Sequence, residues 1–206
     1  MSQKALKILL VSASEMEMIN NEPDCTDTLV TGVGMVATTH LLTKQLITSN
    51  YHLVIDLGIA GSFNPAFKIG DVVQVISDRL VELGVEDNGK FVPANEMNLV
   101  DTEEMIFETD LRVNKLPEAN GITVNKVHGA SETIQNIIEQ FNPDVEGMEG
   151  AAVAYVCKQF DVPWVQIRAI SNKVEPRNRV AWDIGLAIKN LHQEVEHYLD
   201  MVKNEV

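Results

Sequence analysis

Apolar positions fall in continuous runs in some stretches of the chain and at helical spacing in others. Residues 7–13 (KILLVSA) and 51–57 (YHLVIDL) are apolar at successive positions, the pattern of strands covered on both faces. Residues 27–31 (DTLVT) predict a shorter strand, and 163–170 (PWVQIRAI) another. The turn Gly32-Val33-Gly34 opens a helix over 35–47, and Gly58-Ile59-Ala60-Gly61 closes the strand at 51–57 as a turn. Residues 71–83 read as a longer strand, followed by a hairpin signal at Asp87-Asn88-Gly89. Residues 93–104 are polar and read as loop, with a helix expected over 103–114. Residues 122–128 alternate like a strand, and 131–140 read as a helix capped by Ser131 or the preceding turn. A helix is expected over 148–160. A last one over 180–202 carries Val180, Ile184, Ala187, Ile188, Leu191, Val195, Tyr198 and Leu199 on one side.

The order is largely strand, helix, strand. It predicts an α/β fold: a single-domain, three-layer α/β/α sandwich over residues 1–206 with a mixed, mostly parallel central sheet. Composition agrees, since 45% of the 206 residues are hydrophobic and spread through the chain, enough for a sizeable core. The net charge of −14 argues against nucleic acid as a partner, because phosphates would be repelled. No segment approaches the roughly 18 apolar residues of a membrane helix, and the N-terminal apolar run reads as a first strand rather than a signal peptide. Cys25 and Cys157 stand far apart without metal-ligand spacing, so a reduced, cytoplasmic protein is expected. The five histidines are scattered, and His192 and His197, five apart on a helix, suit no single metal. No metal and no cofactor is expected.

Several polar groups interrupt this pattern where chemistry could sit. Glu15-Met16-Glu17 follows the first strand, and ligands of parallel sheets lie beyond the carboxyl ends of strands. A carboxylate there can activate water as a general base; a pair of solvated acids fits the same residues. Gly32-Val33-Gly34 is followed by Ala37, so it lacks the dinucleotide fingerprint and reads as a tight turn. Gly58 to Ser62 are small enough either to admit a flat ligand or simply to turn. Glu149 stands where a helix begins. It either complements the helix N-terminus or accepts hydrogen bonds from sugar hydroxyls, with Met148 as an apolar floor. Arg168 lies inside an apolar strand, where a guanidinium needs an acceptor or an anion. Asn172 follows near the strand end, where an amide both donates and accepts. Arg177 and Arg179 form a solvated face or grip a carboxylate.

Taken in order, the segments ASEME, GVGMVAT, DLGIAGSFNPAFKIGDVV, VEGMEGAAVAYVCKQFDVPW and RAISN resemble the purine nucleoside phosphorylase and nucleosidase superfamily nearly end to end. Within it, the chain is similar to the hydrolases of methylthioadenosine and adenosylhomocysteine, and most of all to the futalosine hydrolases of menaquinone biosynthesis. The resemblance implies that Glu17 is the water-activating carboxylate and that Arg168 lies near that water. It implies that Met148 and Glu149 bind ribose, and that Ser171 and Asn172 hold the purine edge. Ile59, Ala60 and Gly61 would line the base and the water, with Ile59 in place of a serine found in the adenine-specific enzymes. The implied partners are a purine nucleoside and water, with assembly as a homodimer or larger homo-oligomer.

Asn172 stands where the adenine-releasing relatives carry aspartate. A carboxylate suits the 6-amino group of adenine but sets acceptor against acceptor at a 6-oxo group, whereas an amide donates to that oxygen. The expected reaction is therefore hydrolysis of futalosine with release of hypoxanthine. Asparagine is no general acid, so the proton for the leaving base must come from elsewhere. Arg79 is the only arginine among residues 1–111, a thin supply for binding phosphate, which favours water as nucleophile. Arg177 or Arg179 would meet the carboxylate of futalosine. The rival expectations are a methylthioadenosine/adenosylhomocysteine nucleosidase, a purine nucleoside phosphorylase, or a nucleoside-binding protein of the same fold.

Overall fold

The computed structural model describes residues 6–20, 25–113 and 115–204. Its elements are β1 (Ile8–Ser12), β2 (Thr26–Val30), α1 (Met35–Thr48), β3 (Leu53–Ser62), β4 (Val72–Leu80), β5 (Gly84–Asp87), β6 (Lys90–Pro93), β7 (Ile106–Glu108), β8 (Glu118–Thr123), α2 (Ser131–Phe141), β9 (Val145–Gly147), α3 (Gly150–Gln159), β10 (Trp164–Lys173) and α4 (Ile184–Asn204). β1, every residue of which is buried, divides its side chains between two cores. Ile8 and Leu10 join Ala187, Leu191 and Val195 of α4 on one face. Leu9 and Val11 join Leu42 of α1 and Val153 and Ala154 of α3 on the other. Residues of alternating direction can both be apolar only because helices cover both faces.

β1 lies between β2 and β3, parallel to both. β10 runs parallel to the opposite edge of β3, from Trp164 beside Val54 to Lys173 beside Ser62. β4 pairs antiparallel with β10 and parallel with β8. β9 pairs parallel with β8 and antiparallel with the end of β3. Strands β3, β10, β4, β8 and β9 therefore close into a ring, and each contributes to a cluster formed by Ala60, Ile170, Val73, Val75, Ala119 and Val145. The three-layer expectation did not include this closure. It removes edges that would otherwise be left unpaired. Bulges at Ser171 in β10 and at Ile76 in β4 supply the bending.

Several boundaries differ from the sequence expectation. Residues 58–61 are strand, not turn, because β10 and β9 hydrogen-bond to them. β10 likewise continues through Ser171 and Asn172 instead of stopping at residue 170. The strand expected at 122–128 is Glu118–Thr123, paired with β4. The expected helix at 103–114 is one 3₁₀ turn, Thr102–Glu104, followed by β7, whose backbone is drawn into the sheet by β4; Asn114 itself lies outside the described residues. Val180 sits in a separate 3₁₀ turn, Arg179–Ala181, ahead of α4, and is exposed. The hairpin is as the sequence signals: Asn88 and Gly89 have φ of 49° and 76° and connect β5 to β6. Among the described residues no helix is long and apolar enough to cross a membrane.

The start of α3 is fixed by buried polar groups. The Ala151 N–H donates to Thr123 Oγ1 at 2.8 Å, whose hydroxyl donates to Asp78 Oδ1 at 2.9 Å. Gln166 Nε2 donates to Asp78 Oδ2 at 2.9 Å. Gly150 lies against this network: a Cβ there would come within 2.2 Å of both Asp78 Oδ2 and Gln166 Nε2. Gly150→Ala should cost about 1–3 kcal/mol in urea unfolding. Gly185→Ala, whose Cβ meets only Asp183 Oδ1 at 3.7 Å, should be neutral or stabilising. Equal effects of the two would refute the packing account.

Candidate active site

Glu17, Arg168, Ser171 and Asn172 all meet residues of β3. Glu17, just past β1, is buried. Its Oε2 accepts from Ser14 Oγ at 2.8 Å and its Oε1 from the Ile59 N–H at 3.2 Å. Ile59 thus serves Glu17 through its backbone, and the side chain that replaces serine packs against the core shared with α4. The imidazole of His192 on α4 sits 3.2 Å, through Nε2, from the Glu17 carbonyl. Because a carbonyl only accepts, Nε2 carries the hydrogen.

Arg168 leaves β10 opposite Gly58 and is buried. Its Nη2 is paired with Asp56 Oδ2 of β3. Gly58 is where Arg168 and Glu17 meet, since a Cβ at that position would lie 3.1 Å from Arg168 Nη1 and 3.3 Å from Glu17 Oε1. The Asp56 carboxyl is pushed up to about 6, first by its burial and against the pull of Arg168. The Arg168 guanidinium is held above its ordinary range by Asp56, Glu149 and Glu17 together, against the desolvation that lowers it.

Glu149 precedes α3 but does not cap it with its side chain. Its Oε1 instead accepts from the Gly34 N–H at 2.8 Å. Gly34 has φ of 93°, a conformation that favours glycine, and this aims its N–H across the site. Burial raises the Glu149 carboxyl above the usual range, opposed by the Gly34 N–H and by Arg168. Met148 beside it is half-buried.

The amide of Asn172 has a determined orientation. Nδ2 donates to the Lys173 carbonyl at 2.9 Å, while Oδ1 accepts from Ser171 Oγ at 2.8 Å. Flipping the amide would set Oδ1 against a carbonyl, so the second N–H of Nδ2 remains to be offered elsewhere. The Ser171 hydroxyl also lies 3.2 Å from the Ala60 carbonyl. Arg177 and Arg179 are exposed on the connection from β10 to α4. The Arg177 guanidinium stacks over Trp182 at 5.4 Å, and the Arg177 backbone N–H donates to the Gly129 carbonyl at 3.2 Å. No hydrogen bond or ion pair described joins either arginine to Glu17, Glu149 or Asn172.

A family model described as the phosphorylase superfamily matches residues 28–200. The chain belongs to the phosphorylase superfamily. It is similar to the futalosine hydrolase of Acidothermus cellulolyticus, 33% identical over 175 residues that cover 80% of this chain and 71% of that protein. It is also similar to the futalosine hydrolase of Streptomyces coelicolor, at 31% identity over 84% of this chain and 78% of that one. The fold matches that of the Helicobacter pylori futalosine hydrolase, with a TM-score of 0.78 at 18% identity over 95% of this chain and 98% of that structure. It matches the 5'-methylthioadenosine/S-adenosylhomocysteine nucleosidase of the same organism at 0.80, with 18% identity over 97% and 100%.

For this superfamily member, four features of the site escaped sequence reasoning. Asp56 lies in an apolar strand, and the neighbouring Arg168 was the signal that it needed a partner. The Gly34 N–H meets Glu149 from a distant segment and has no local signature, whereas the Ser14 hydroxyl meets Glu17 three residues on, a spacing the sequence displays. Glu146 and His128 form a buried pair, with Nδ1 and Oε2 2.6 Å apart. Glu146 is one more acid in an acidic chain and carries no local signature. Among the described residues no group of three or more His, Cys, Asp or Glu is placed to hold a metal ion.

Arg168→Met leaves Asp56 buried without its cation and should cost about 3–5 kcal/mol of stability near pH 7.5. Losing the arginine raises the Asp56 carboxyl further above about 6. Near pH 5 that carboxyl is mostly neutral, so the penalty should shrink as pH falls. Urea titrations of both proteins at the two pH values check this; an equal penalty at both refutes it.

Proposed function

We propose that this protein is a nucleosidase of the futalosine hydrolase type, cleaving the N-glycosidic bond of futalosine with water and releasing hypoxanthine. The observation that carries the reading is the Asn172 amide: the Lys173 carbonyl fixes Nδ2 as a donor, and a donor complements a 6-oxopurine. The 31–33% identical relatives named futalosine hydrolases support the same substrate.

In this reading the purine lies along Ala60 and Gly61, with Ser171 fixing the Asn172 amide that donates to O6. Glu149, already anchored by Gly34, accepts the ribose hydroxyls above Met148 and so aligns the ring. Glu17 keeps lone pairs beyond its bonds to Ser14 and Ile59 and takes a proton from the attacking water. Arg168 stabilises the negative charge of both carboxylates. As the C1′–N9 bond stretches, the sugar gains oxocarbenium character and the purine gains negative charge, which the Asn172 donor stabilises by about 3 kcal/mol. Arg177 and Arg179, on the exposed connection beside the site, would meet the carboxylate of futalosine.

Water rather than phosphate is the nucleophile in this reading. Arg168, the cation beside Glu17, is committed to Asp56, and Arg177 and Arg179 lie out on the exposed connection. A phosphate beside Glu17 and Glu149 would face two carboxylates without a dedicated partner.

Glu17→Gln should lower kcat by about 10²-fold or more with little change in KM. Retained turnover, followed by chromatography of the free base, would remove the base assignment. Asn172→Asp should lower the ratio of hypoxanthine to adenine release by about tenfold or more, because the carboxylate opposes O6. An unchanged ratio would remove the reason for the 6-oxopurine preference. Added phosphate should leave the products and the rate unaltered.

A further inference from the structure

Asn172 has no proton of its own to give, yet a purine that leaves as an anion must be neutralised. The sheet places a buried acid–imidazole pair in the same row. Glu146 of β9 stands opposite Gly61 of β3, and Gly61 stands opposite Asn172 of β10. Since Gly61 has no side chain, Val174, Asn172 and Glu146 lean over it: a Cβ there would lie 2.9 Å from Val174 Cγ2, 3.1 Å from Asn172 Nδ2 and 3.5 Å from Glu146 Cγ. Glu146 is buried, and both of its oxygens are turned to His128. The His128 N–H donates to Oε1 at 3.1 Å, and Nδ1 lies 2.6 Å from Oε2.

This geometry fixes the tautomer. An ionised carboxylate only accepts, so Nδ1 carries a hydrogen, and Nε2 points away from Glu146 as the free end of the ring. Phe63, two residues beyond Gly61, packs against the ring at 6.3 Å between centroids and limits its rotation. The connection 174–183 ties this wall to the strand end. Arg177 bonds to Gly129, next to His128, and the Asp183 N–H donates to the Ser171 carbonyl at 2.9 Å. Glu146 and Asn172 thus flank Gly61, at the edge where the base is placed above, and His128 is bonded to Glu146.

We propose that His128, held by Glu146, supplies the proton that the leaving purine takes up, through one bridging water. The proposal rests on the nucleosidase reading given above. As the C1′–N9 bond breaks, its electron pair passes to the purine. N7 takes a proton from the bridging water, which takes the Nε2 proton of the imidazolium. The attacking water forms the C1′–O bond and gives its proton to Glu17. Glu17 then releases that proton to solvent and His128 regains one, so nucleoside and water become free base and sugar with no net proton change. Glu146 acts as the positioning residue. The same carboxylate–imidazole arrangement holds a histidine in the required tautomer in many hydrolytic sites.

The test compares leaving groups. Futalosine and inosine release a purine that needs a proton, whereas 4-nitrophenyl β-D-ribofuranoside releases a nitrophenolate that does not. His128→Ala should lower kcat on the purine nucleosides by about 10²-fold while changing nitrophenyl riboside turnover by less than about threefold. Added imidazole should restore part of the purine activity of His128→Ala. Glu146→Gln should show the same split, more weakly, and thermal melts report whether each variant is folded. A parallel loss on both classes of substrate, or no loss on the purines, overturns the proposal. Wild-type protein that releases no base from either nucleoside sinks the nucleosidase reading, and this proposal with it. Wild-type turnover with a parallel loss in the variants sinks this proposal alone.

Discussion

The ion pair between Arg168 and Asp56 is the constraint on which the site depends. Both residues lie inside a sheet covered by helices, where an isolated charge would be severely penalised. Pairing them across neighbouring strands makes Arg168 tolerable and fixes its guanidinium. Glu17 and Glu149 arrive from other elements and share the field of that one cation. Three carboxylates around one arginine leave a surplus of negative charge. Burial keeps Glu149 hard to ionise, with Glu17 adding to it, and the surplus disfavours a further anion such as phosphate.

Glycines mark the places where polar side chains meet. Gly58 lies between Arg168 and Glu17, Gly61 between Asn172 and Glu146, and Gly150 against Asp78 and Gln166. In each case a Cβ would crowd the side chains that meet there, Val174 among them at Gly61. Such positions look like turn signals in a sequence, because glycine is the usual residue of turns. Here two of the three lie in strands or pair with them, and the third opens a helix.

Closure of the sheet is what brings Glu146 and Asn172 to either side of Gly61. β9 contributes only three residues, yet it completes the ring and places Glu146 beside Gly61. The bulge at Ser171 lets β10 keep pairing with β3 beyond Ile170, so that Asn172 falls opposite Gly61. A strand end at residue 170 would have left Asn172 and Lys173 without their partners Gly61 and Ser62.

Much of the fold is determined locally. The apolar runs of β1 and β3, the helical spacing of α1 and α4 and the Asn88-Gly89 turn follow from periodicity and backbone preference, which neighbouring residues set by themselves. The same holds for several chemical residues: Arg168 and Asn172 stand out because polar groups inside an apolar run require an explanation. The ordered motifs also carried the superfamily. Tertiary structure alone decided which partners those groups take. Asp56 for Arg168, the Gly34 N–H for Glu149, Glu146 beside Asn172, and the strand character of 58–61 all depend on contacts between segments distant in sequence. Hydrogen bonds and ion pairs act over about 3 Å, so their partners are set by where the closed sheet brings the backbone.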